Sequence, residues 1–146
     1  MSNECVVYLV DDDEAVREAL TVSLGQAGFK VRTFDSGPAF LQAYTQGQPA
    51  CLLMDLCMPD MDGLAVQREL MRREVHIPII FMTAYGTIRE SVSAIKGGAF
   101  DFVEKPFPRN LLIERIQQAI SQKVHEQDTY QRQCERMERY QNLSPR

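Results

Sequence analysis

The chain has 146 residues, 45% of them hydrophobic and 25% charged, and its 16 basic and 20 acidic residues give a net charge of −4. A chain of this length builds a core that needs neither disulfides nor structural metals. The acidic balance gives no general attraction for nucleic-acid phosphates or lipid head groups, so we expect DNA contacts only through another domain. The cysteine spacing and the short apolar runs exclude a zinc site, a signal peptide and a membrane span, and favour a cytosolic protein with reduced thiols.

Five short, mostly apolar runs predict five strands, and the second is expected at an edge because it carries Lys30 and Arg32. The predicted strands are Cys5–Val10, Phe29–Thr33, Cys51–Met54, Ile79–Met82 and Phe100–Val103. Their alternation with helical segments predicts an α/β fold, a doubly wound (βα)₅ three-layer sandwich with a parallel sheet. For the strand order we adopt 2-1-3-4-5, the known arrangement of flavodoxin-like proteins, because the alternation alone does not specify which strands are neighbours.

Segments with helical spacing fill the gaps between the predicted strands. The first has an apolar stripe and a glycine, Gly28, where a helix is expected to stop; the stripe consists of Ala15, Val16, Ala19, Leu20, Val22, Leu24 and Ala27. The other predicted helices are Pro38–Gln46, Leu64–Arg73, Ile88–Lys96 and a segment from Leu111 onward. Candidate N-caps are Asp12 or Asp13, Asp62 and Thr87.

The composition changes near Lys123, which predicts two units: residues 1–122 as a domain and residues 123–146 as a helical linker or stalk. The second segment is rich in Gln, Glu and Arg and has few large aliphatic residues. Tyr130, Cys134, Met137 and Gln141 have the spacing of a weak heptad seam. A dimeric coiled-coil stalk and a solvated helix or frayed linker both remain open interpretations.

Reactive side chains follow four of the predicted strands. Asp11 and Asp12 come after the first, Asp55 after the third, Thr83 after the fourth and Lys105 after the fifth. The carboxyl ends of parallel strands share one edge of the sheet, where ligands bind at the point of order reversal. We therefore expect these side chains to form one cluster.

Three neighbouring carboxylates repel each other by about 4 kcal/mol per pair at 4 Å and an effective dielectric near 20, so a raised pKa on one of them, a cationic side chain or a bound metal must compensate. Oxygen ligands suit Mg²⁺ or Mn²⁺, and Lys105 adds a permanent charge. A metal, an ammonium, a hydroxyl and a carboxylate together are typical of phosphoryl transfer. Asp55 is the best candidate nucleophile because it stands alone at its strand end, whereas Asp11 and Asp12 form a pair suited to holding an ion. Thr83 could contact the added phosphoryl group.

Four ordered motifs resemble the receiver domain of two-component response regulators over residues 5 to about 122. The motifs read VDD at 10–12, MDLCMPDMDG at 54–63, MTA at 82–84 and DFVEKPF at 101–107. The segments AYG at 84–86 and EKPF at 104–107 are similar to those of the FixJ-type group of transcriptional regulators.

The resemblance implies a role for each matching residue. Asp55 would be the phosphoacceptor, and Asp12, Asp55 and the main-chain carbonyl of Cys57 would hold Mg²⁺ directly. Asp11 would hold it through water. Thr83 and Lys105 would contact the phosphoryl group. Phe102, which lacks the hydroxyl of the tyrosine common at this position, would swing inward as Thr83 moves; Cys57 stands where the family often has a polar or basic residue.

Phosphorylation adds roughly −1.5 to −2 charge and would bias a two-state packing element. The resemblance implies that the face made by the fourth helix, fifth strand and fifth helix then changes and forms a homodimer. It also implies a histidine kinase as phosphodonor. LSPR at 143–146 resembles the opening of a LuxR-type helix-turn-helix domain, which would make this chain a receiver and linker preceding a DNA-binding domain.

Three alternatives differ in class. A stand-alone receiver with a helical tail would act through protein contacts and would lack the DNA-binding domain. A Mg²⁺-dependent phosphatase usually needs a second Asp two residues after its nucleophile, where this chain has Cys57. A flavodoxin-type flavin site would need a Ser, Thr or Gly loop after the first strand, where four acidic residues occupy positions 11–14.

Overall fold

The computed structural model describes residues 5–45, 49–56, 58, 61–83 and 88–122. Strands and helices alternate along this part of the chain. The strands are β1 (Val6–Val10), β2 (Lys30–Phe34), β3 (Ala50–Asp55), β4 (Ile79–Thr83) and β5 (Asp101–Glu104). The helices are α1 (Glu14–Gln26), α2 (Gly37–Ala43), α3 (Gly63–Arg72), α4 (Ile88–Lys96) and α5, which covers residues 109–122.

All five strands are parallel and lie in the order β2-β1-β3-β4-β5, so the predicted topology and the edge position of the second strand are confirmed. β1 and β3 are adjacent, with Val10 opposite Met54. β4 lies beside β3 and places Met82 opposite Asp55. This register brings the carboxyl ends of the three central strands to one edge.

The sheet is buried on both faces, as its apolar strands require. One core packs α1 and α5 against the sheet and includes Leu24, Ile80 and Ile116. The other packs α2, α3 and α4 against the opposite face and includes Phe40, Val66 and Phe81. The molecule therefore has the three predicted layers, and its functional side chains must lie at a sheet edge.

Local signals explain several helix ends. Asp13 caps α1 by accepting from the Ala15 N–H, and Asp62 caps α3 by accepting from Ala65. Gly28, which follows the end of α1, has φ +99°, a conformation that L side chains rarely adopt. The predicted Thr87 cap and the segment 123–146 lie outside the described residues.

Two expectations about the helices need correction. α2 begins one residue before the predicted Pro38, because the Ser36 hydroxyl caps it by accepting from the Ala39 N–H, and it ends at Ala43 rather than Gln46. The apolar stripe of α1 is wider than its buried face. Leu24 is fully buried and Leu20 packs on the core, whereas Val22 is 60% exposed. Ala15 and Ala19 are exposed as well.

The described helices include none that is both long and apolar enough to cross a bilayer. The described cysteines, Cys5 and Cys51, are free thiols. Burial raises the pKa of the Cys51 thiol well above its usual range, so this group stays protonated and packs as a small apolar side chain.

Candidate functional site

Main-chain hydrogen bonds tie together the carboxyl ends of three pairs of neighbouring strands. The N–H of Asp11 donates to the Phe34 carbonyl at 3.1 Å, and the N–H of Leu56 donates to the Met82 carbonyl at 2.8 Å. The N–H of Lys105 donates to the Thr83 carbonyl at 2.7 Å. These bonds continue the sheet one residue past its strands, and they hold the loops that carry the reactive side chains in register.

The structure brings three carboxylates together at this edge. One oxygen from each of Asp11, Asp12 and Asp55 lies within 4.8 Å of the other two. Their exposures differ: Asp11 is fully buried, Asp55 is mostly buried and Asp12 is exposed. Asp55 is the last residue of β3 rather than the first residue after it, because it still pairs with Met82 on β4.

Asp11 is held at every polar atom. Its Oδ1 accepts from the Asp13 N–H at 2.9 Å, and its Oδ2 accepts from Lys105 Nζ at 2.9 Å. Its own N–H donates to Phe34, and its main-chain carbonyl accepts from Arg17 Nη1 at 2.7 Å. The orientation of this carboxylate is therefore fixed before any ligand arrives.

Lys105 reaches the cluster from the end of β5. Its Nζ lies 2.9 Å from Asp11 Oδ2 and 3.8 Å from Asp55 Oδ2. Partial burial by itself lowers the pKa of Lys105, but the hydrogen bond to Asp11 and the negative charges of Asp11, Asp55 and Asp13 raise it above its ordinary value of 10.5. The ammonium is therefore a permanent cation at neutral pH. The peptide bond between Lys105 and Pro106 is cis.

Thr83 ends β4 beside the cluster. The residue is 1% exposed, and its hydroxyl oxygen has no hydrogen-bond partner within the described part of the chain. A buried hydroxyl left without a partner is unfavourable by about 1–3 kcal/mol. The Thr83 hydroxyl could therefore donate a hydrogen bond to a ligand at the sheet edge, or accept one from it.

Gly63 allows the chain after β3 to fold close to the site. Its N–H donates to the Leu56 carbonyl at 3.0 Å. A Cβ at this position would lie 2.7 Å from Phe81 Cε1 and 3.0 Å from the Asp55 carbonyl. Any larger residue would push the start of α3 away from the end of β3, where Asp55 stands.

The oxygen cluster fits Mg²⁺. Mg²⁺ binds oxygen ligands at about 2.0–2.1 Å, so opposite ligands in an octahedron lie about 4.2 Å apart. Carboxylate oxygens grouped within 4.8 Å can therefore approach one ion with small side-chain adjustments. Asp11, Asp12 and Asp55 would hold it. The predicted main-chain ligand, Cys57, lies outside the described residues.

Phe102 lies on β5, opposite Phe81 of β4, and is partly buried against the core that contains Ala94 of α4. On the outer side of this region, Arg115 Nε of α5 lies 3.2 Å from Asp101 Oδ2. Val92 and Ile95 of α4 are 44% and 45% exposed. The predicted switch residue is thus part of a packed layer next to an apolar surface.

Arg17 and Gln67 are polar residues that the sequence pattern does not single out. Arg17 is the fourth residue of α1 and binds the Asp11 carbonyl. Gln67 is buried on α3, and its Nε2 donates to the Ala94 carbonyl of α4 at 3.0 Å. For Arg17, the sequence signal is an isolated arginine after an acidic run. Gln67 has no such signal, because a lone glutamine on a helix is ordinarily a surface residue.

The profile of the response regulator receiver domain matches residues 7–117. The chain belongs to this family. Response regulator protein TmoT of Ectopseudomonas mendocina is 41% identical over 143 residues, which are 98% of this chain and 65% of that protein. The DNA-binding transcriptional regulator NtrC of Escherichia coli is 39% identical over 116 residues, which are 80% of this chain and 25% of that protein.

Full-length FixJ from B. japonicum is a solved structure with the same fold. It superposes with a TM-score of 0.81 at 34% identity, covering 99% of this chain and 71% of that chain. The chain is thus a receiver domain of a two-component response regulator, and it spans less than two thirds of TmoT's length. Receiver domains are signalling proteins rather than turnover enzymes, and the family binds Mg²⁺ at an aspartate cluster.

Proposed function

We propose that this receiver accepts a phosphoryl group on Asp55 from a histidine kinase in a Mg²⁺-dependent reaction. The observation that carries the proposal is the meeting of Asp11, Asp12 and Asp55 around one point, with Lys105 beside them. The chemistry of these groups matches phosphoryl transfer, in which positive charge offsets the charge on the transferred oxygens.

Burial distinguishes the nucleophile from its neighbours. The Asp11 side chain is fully buried, and both of its oxygens already accept hydrogen bonds, so a phosphodonor cannot reach it. Asp55 exposes 12% of its side chain and lies at the longer distance from Lys105. Asp12 is exposed at the rim of the cluster, where it can complete a metal site. Asp55 is thus both accessible and surrounded by the groups that the reaction needs.

In the transfer, a carboxylate oxygen of Asp55 attacks phosphorus and forms a new O–P bond. The P–N bond to the donor histidine breaks, and its electron pair stays on the imidazole nitrogen. Lys105 holds positive charge next to the acceptor carboxylate and can then pair with the phosphoryl oxygens. The Thr83 hydroxyl turns toward the new acceptor oxygens. Bound Mg²⁺ would supply further positive charge to those oxygens.

The output of this reaction would be a homodimer. As Thr83 moves, Phe102 enters the space left behind, and the surface of α4, β5 and α5 changes shape. The exposed Val92 and Ile95 on α4 support this surface as the contact. A linked DNA-binding domain would then control transcription, as the name of NtrC states for that protein. We also propose that residues 1–122 form the receiver, that residues 123–146 form the linker and that the protein is cytosolic.

The test is labelling with a small phosphodonor such as acetyl phosphate, followed by intact-mass spectrometry. The wild type should gain one phosphoryl group in Mg²⁺ and none in excess chelator. Asp55→Asn should gain none while keeping its fold. Asp35→Asn is the matched control, since Asp35 is an exposed aspartate that follows β2 at the same sheet edge. Labelling of Asp55→Asn would refute the acceptor assignment, and sustained phosphate release from a generic ester would favour a phosphatase.

A further inference from the structure

Arg17 is a second cationic residue bound to Asp11. Its Nη1, on the fourth residue of α1, donates to the main-chain carbonyl of Asp11 at 2.7 Å. Lys105 binds the carboxylate of the same residue. Arg17 therefore touches the main chain where β1 ends, and within the described part of the chain its hydrogen bond goes to this carbonyl rather than to a carboxylate oxygen.

The carbonyl that Arg17 binds belongs to the peptide group between Asp11 and Asp12. A peptide group is planar, so fixing its oxygen also fixes the direction in which the Asp12 N–H and Cα leave the strand. Asp12 is the exposed member of the three carboxylates, whereas Asp11 is anchored by Asp13 and Lys105. The orientation of Asp12 thus depends more on its main chain than that of Asp11 does.

We propose that Arg17 is a positioning residue that orients Asp12 toward Mg²⁺ by fixing the Asp11–Asp12 peptide group. This role rests on the proposed function, because it concerns the metal site of the same reaction. Groups that orient metal ligands through hydrogen bonds typically change metal affinity about 10–100-fold when they are removed.

If Arg17 acted only through its charge, its removal would strengthen Mg²⁺ binding rather than weaken it. Arg17 is a cation near an acidic cluster, so its removal makes the local potential more negative and would tighten the binding of a dication. Loss of ligand orientation instead weakens binding. The direction of the change therefore separates a positioning role from simple charge compensation.

The experiment compares the full chain with Arg17→Met, which removes both the charge and the donor. Arg109→Met is the matched control, because Arg109 Nη2 donates to the Ser23 carbonyl at 3.3 Å near the other end of α1. Mg²⁺ affinity is measured by isothermal titration of metal-free protein. Labelling by acetyl phosphate is then measured at a range of Mg²⁺ concentrations. Thermal unfolding in the presence of chelator shows whether each variant is folded.

We expect Arg17→Met to bind Mg²⁺ about tenfold more weakly and Arg109→Met to bind like the wild type. The loss should appear in the Mg²⁺ concentration for half-maximal labelling rather than in the rate at saturating Mg²⁺. If Arg17→Met does not fold, Arg17→Gln, which also lacks the charge and has a shorter reach, gives the same comparison.

Unchanged or tighter Mg²⁺ binding by the Arg17 variant, or equal weakening by Arg109→Met, would overturn the positioning role and leave the proposed function standing. A wild type that binds no Mg²⁺ would overturn the proposed function, and this role with it.

Discussion

Replacing Thr83 by Val should stabilise the unphosphorylated protein. Val has nearly the same shape as Thr, and it exchanges a hydroxyl for a methyl group at a residue that is 1% exposed. The hydroxyl has no hydrogen-bond partner among the described residues. Removing a buried, unsatisfied polar group recovers its desolvation penalty, which is about 1–3 kcal/mol in protein mutational data, and we expect the free energy of unfolding to rise by about 1–2 kcal/mol.

The measurement is urea unfolding in chelator, so that no metal ion contributes to stability. Thermal unfolding in the same buffer gives a second readout. A gain of 1 kcal/mol raises the melting temperature of a domain of this size by about 4 °C, so we expect a rise of roughly 4–8 °C. Thr33→Val is the matched control, because Thr33 is an exposed threonine on β2 and its replacement should change stability by less than about 0.5 kcal/mol.

Replacing Thr83 should also abolish dimerisation in response to phosphorylation. Thr83→Val and Thr83→Ala should still accept a phosphoryl group, but neither variant should shift from monomer to dimer on phosphorylation in sedimentation experiments. A Thr83→Val protein less stable than the wild type would refute the argument that the hydroxyl is unsatisfied. A normal dimer shift would refute the role of that hydroxyl in the switch.

Two further predictions concern α3 and its neighbours. A Cβ at Gly97 would lie 2.8 Å from Gln67 Oε1, so Gly97→Ala should displace Gln67, break its bond to Ala94 and lower the free energy of unfolding by roughly 1–3 kcal/mol. Urea unfolding of Gly97→Ala, Gln67→Ala and the double variant should show coupling, and additive effects would contradict the contact. Hydrogen bonds from Arg72 and Arg73 lower the pKa of Glu69 from 4.5 to about 2. Because the pKa of Glu69 is lower in the folded state, the ionised carboxylate contributes stability above pH 4.5, and this contribution is lost as the pH falls toward 2. In Glu69→Gln, the free energy of unfolding should therefore fall less steeply between pH 4.5 and pH 2 than in the wild type. Wild-type and variant curves of unfolding free energy against pH that run parallel would contradict this pKa shift.

The sequence was sufficient for the order of elements, because each strand is a short apolar run between turn residues. Strand ends differ from prediction by one residue at most positions. Asp55 and Thr83 look like loop residues, since both are polar and follow apolar runs, yet each is the last paired residue of its strand. Main-chain pairing, which sequence polarity does not report, decides these ends.

Other features depend on tertiary contacts that no local pattern carries. Val22 belongs to an apolar stripe, yet it is 60% exposed because only one row of α1 side chains faces the sheet. The predicted strand ends, together with the adopted strand order 2-1-3-4-5, placed the acidic residues and Lys105 near one edge. The hydrogen bonds of Arg17 and Gln67 join residues of different elements, and their partners are main-chain carbonyls, which every residue type provides.

The charge balance of the site explains why a fixed lysine is not enough. Within the described cluster, Asp11, Asp12 and Asp55 carry three negative charges when ionised, and Lys105 offsets one of them. The two remaining charges repel by about 4 kcal/mol at 4 Å and an effective dielectric near 20, which is a large fraction of a domain's net stability. One divalent cation would neutralise both. Its binding should therefore stabilise the fold as well as enable phosphoryl transfer, since a ligand that binds only the folded state raises the free energy of unfolding.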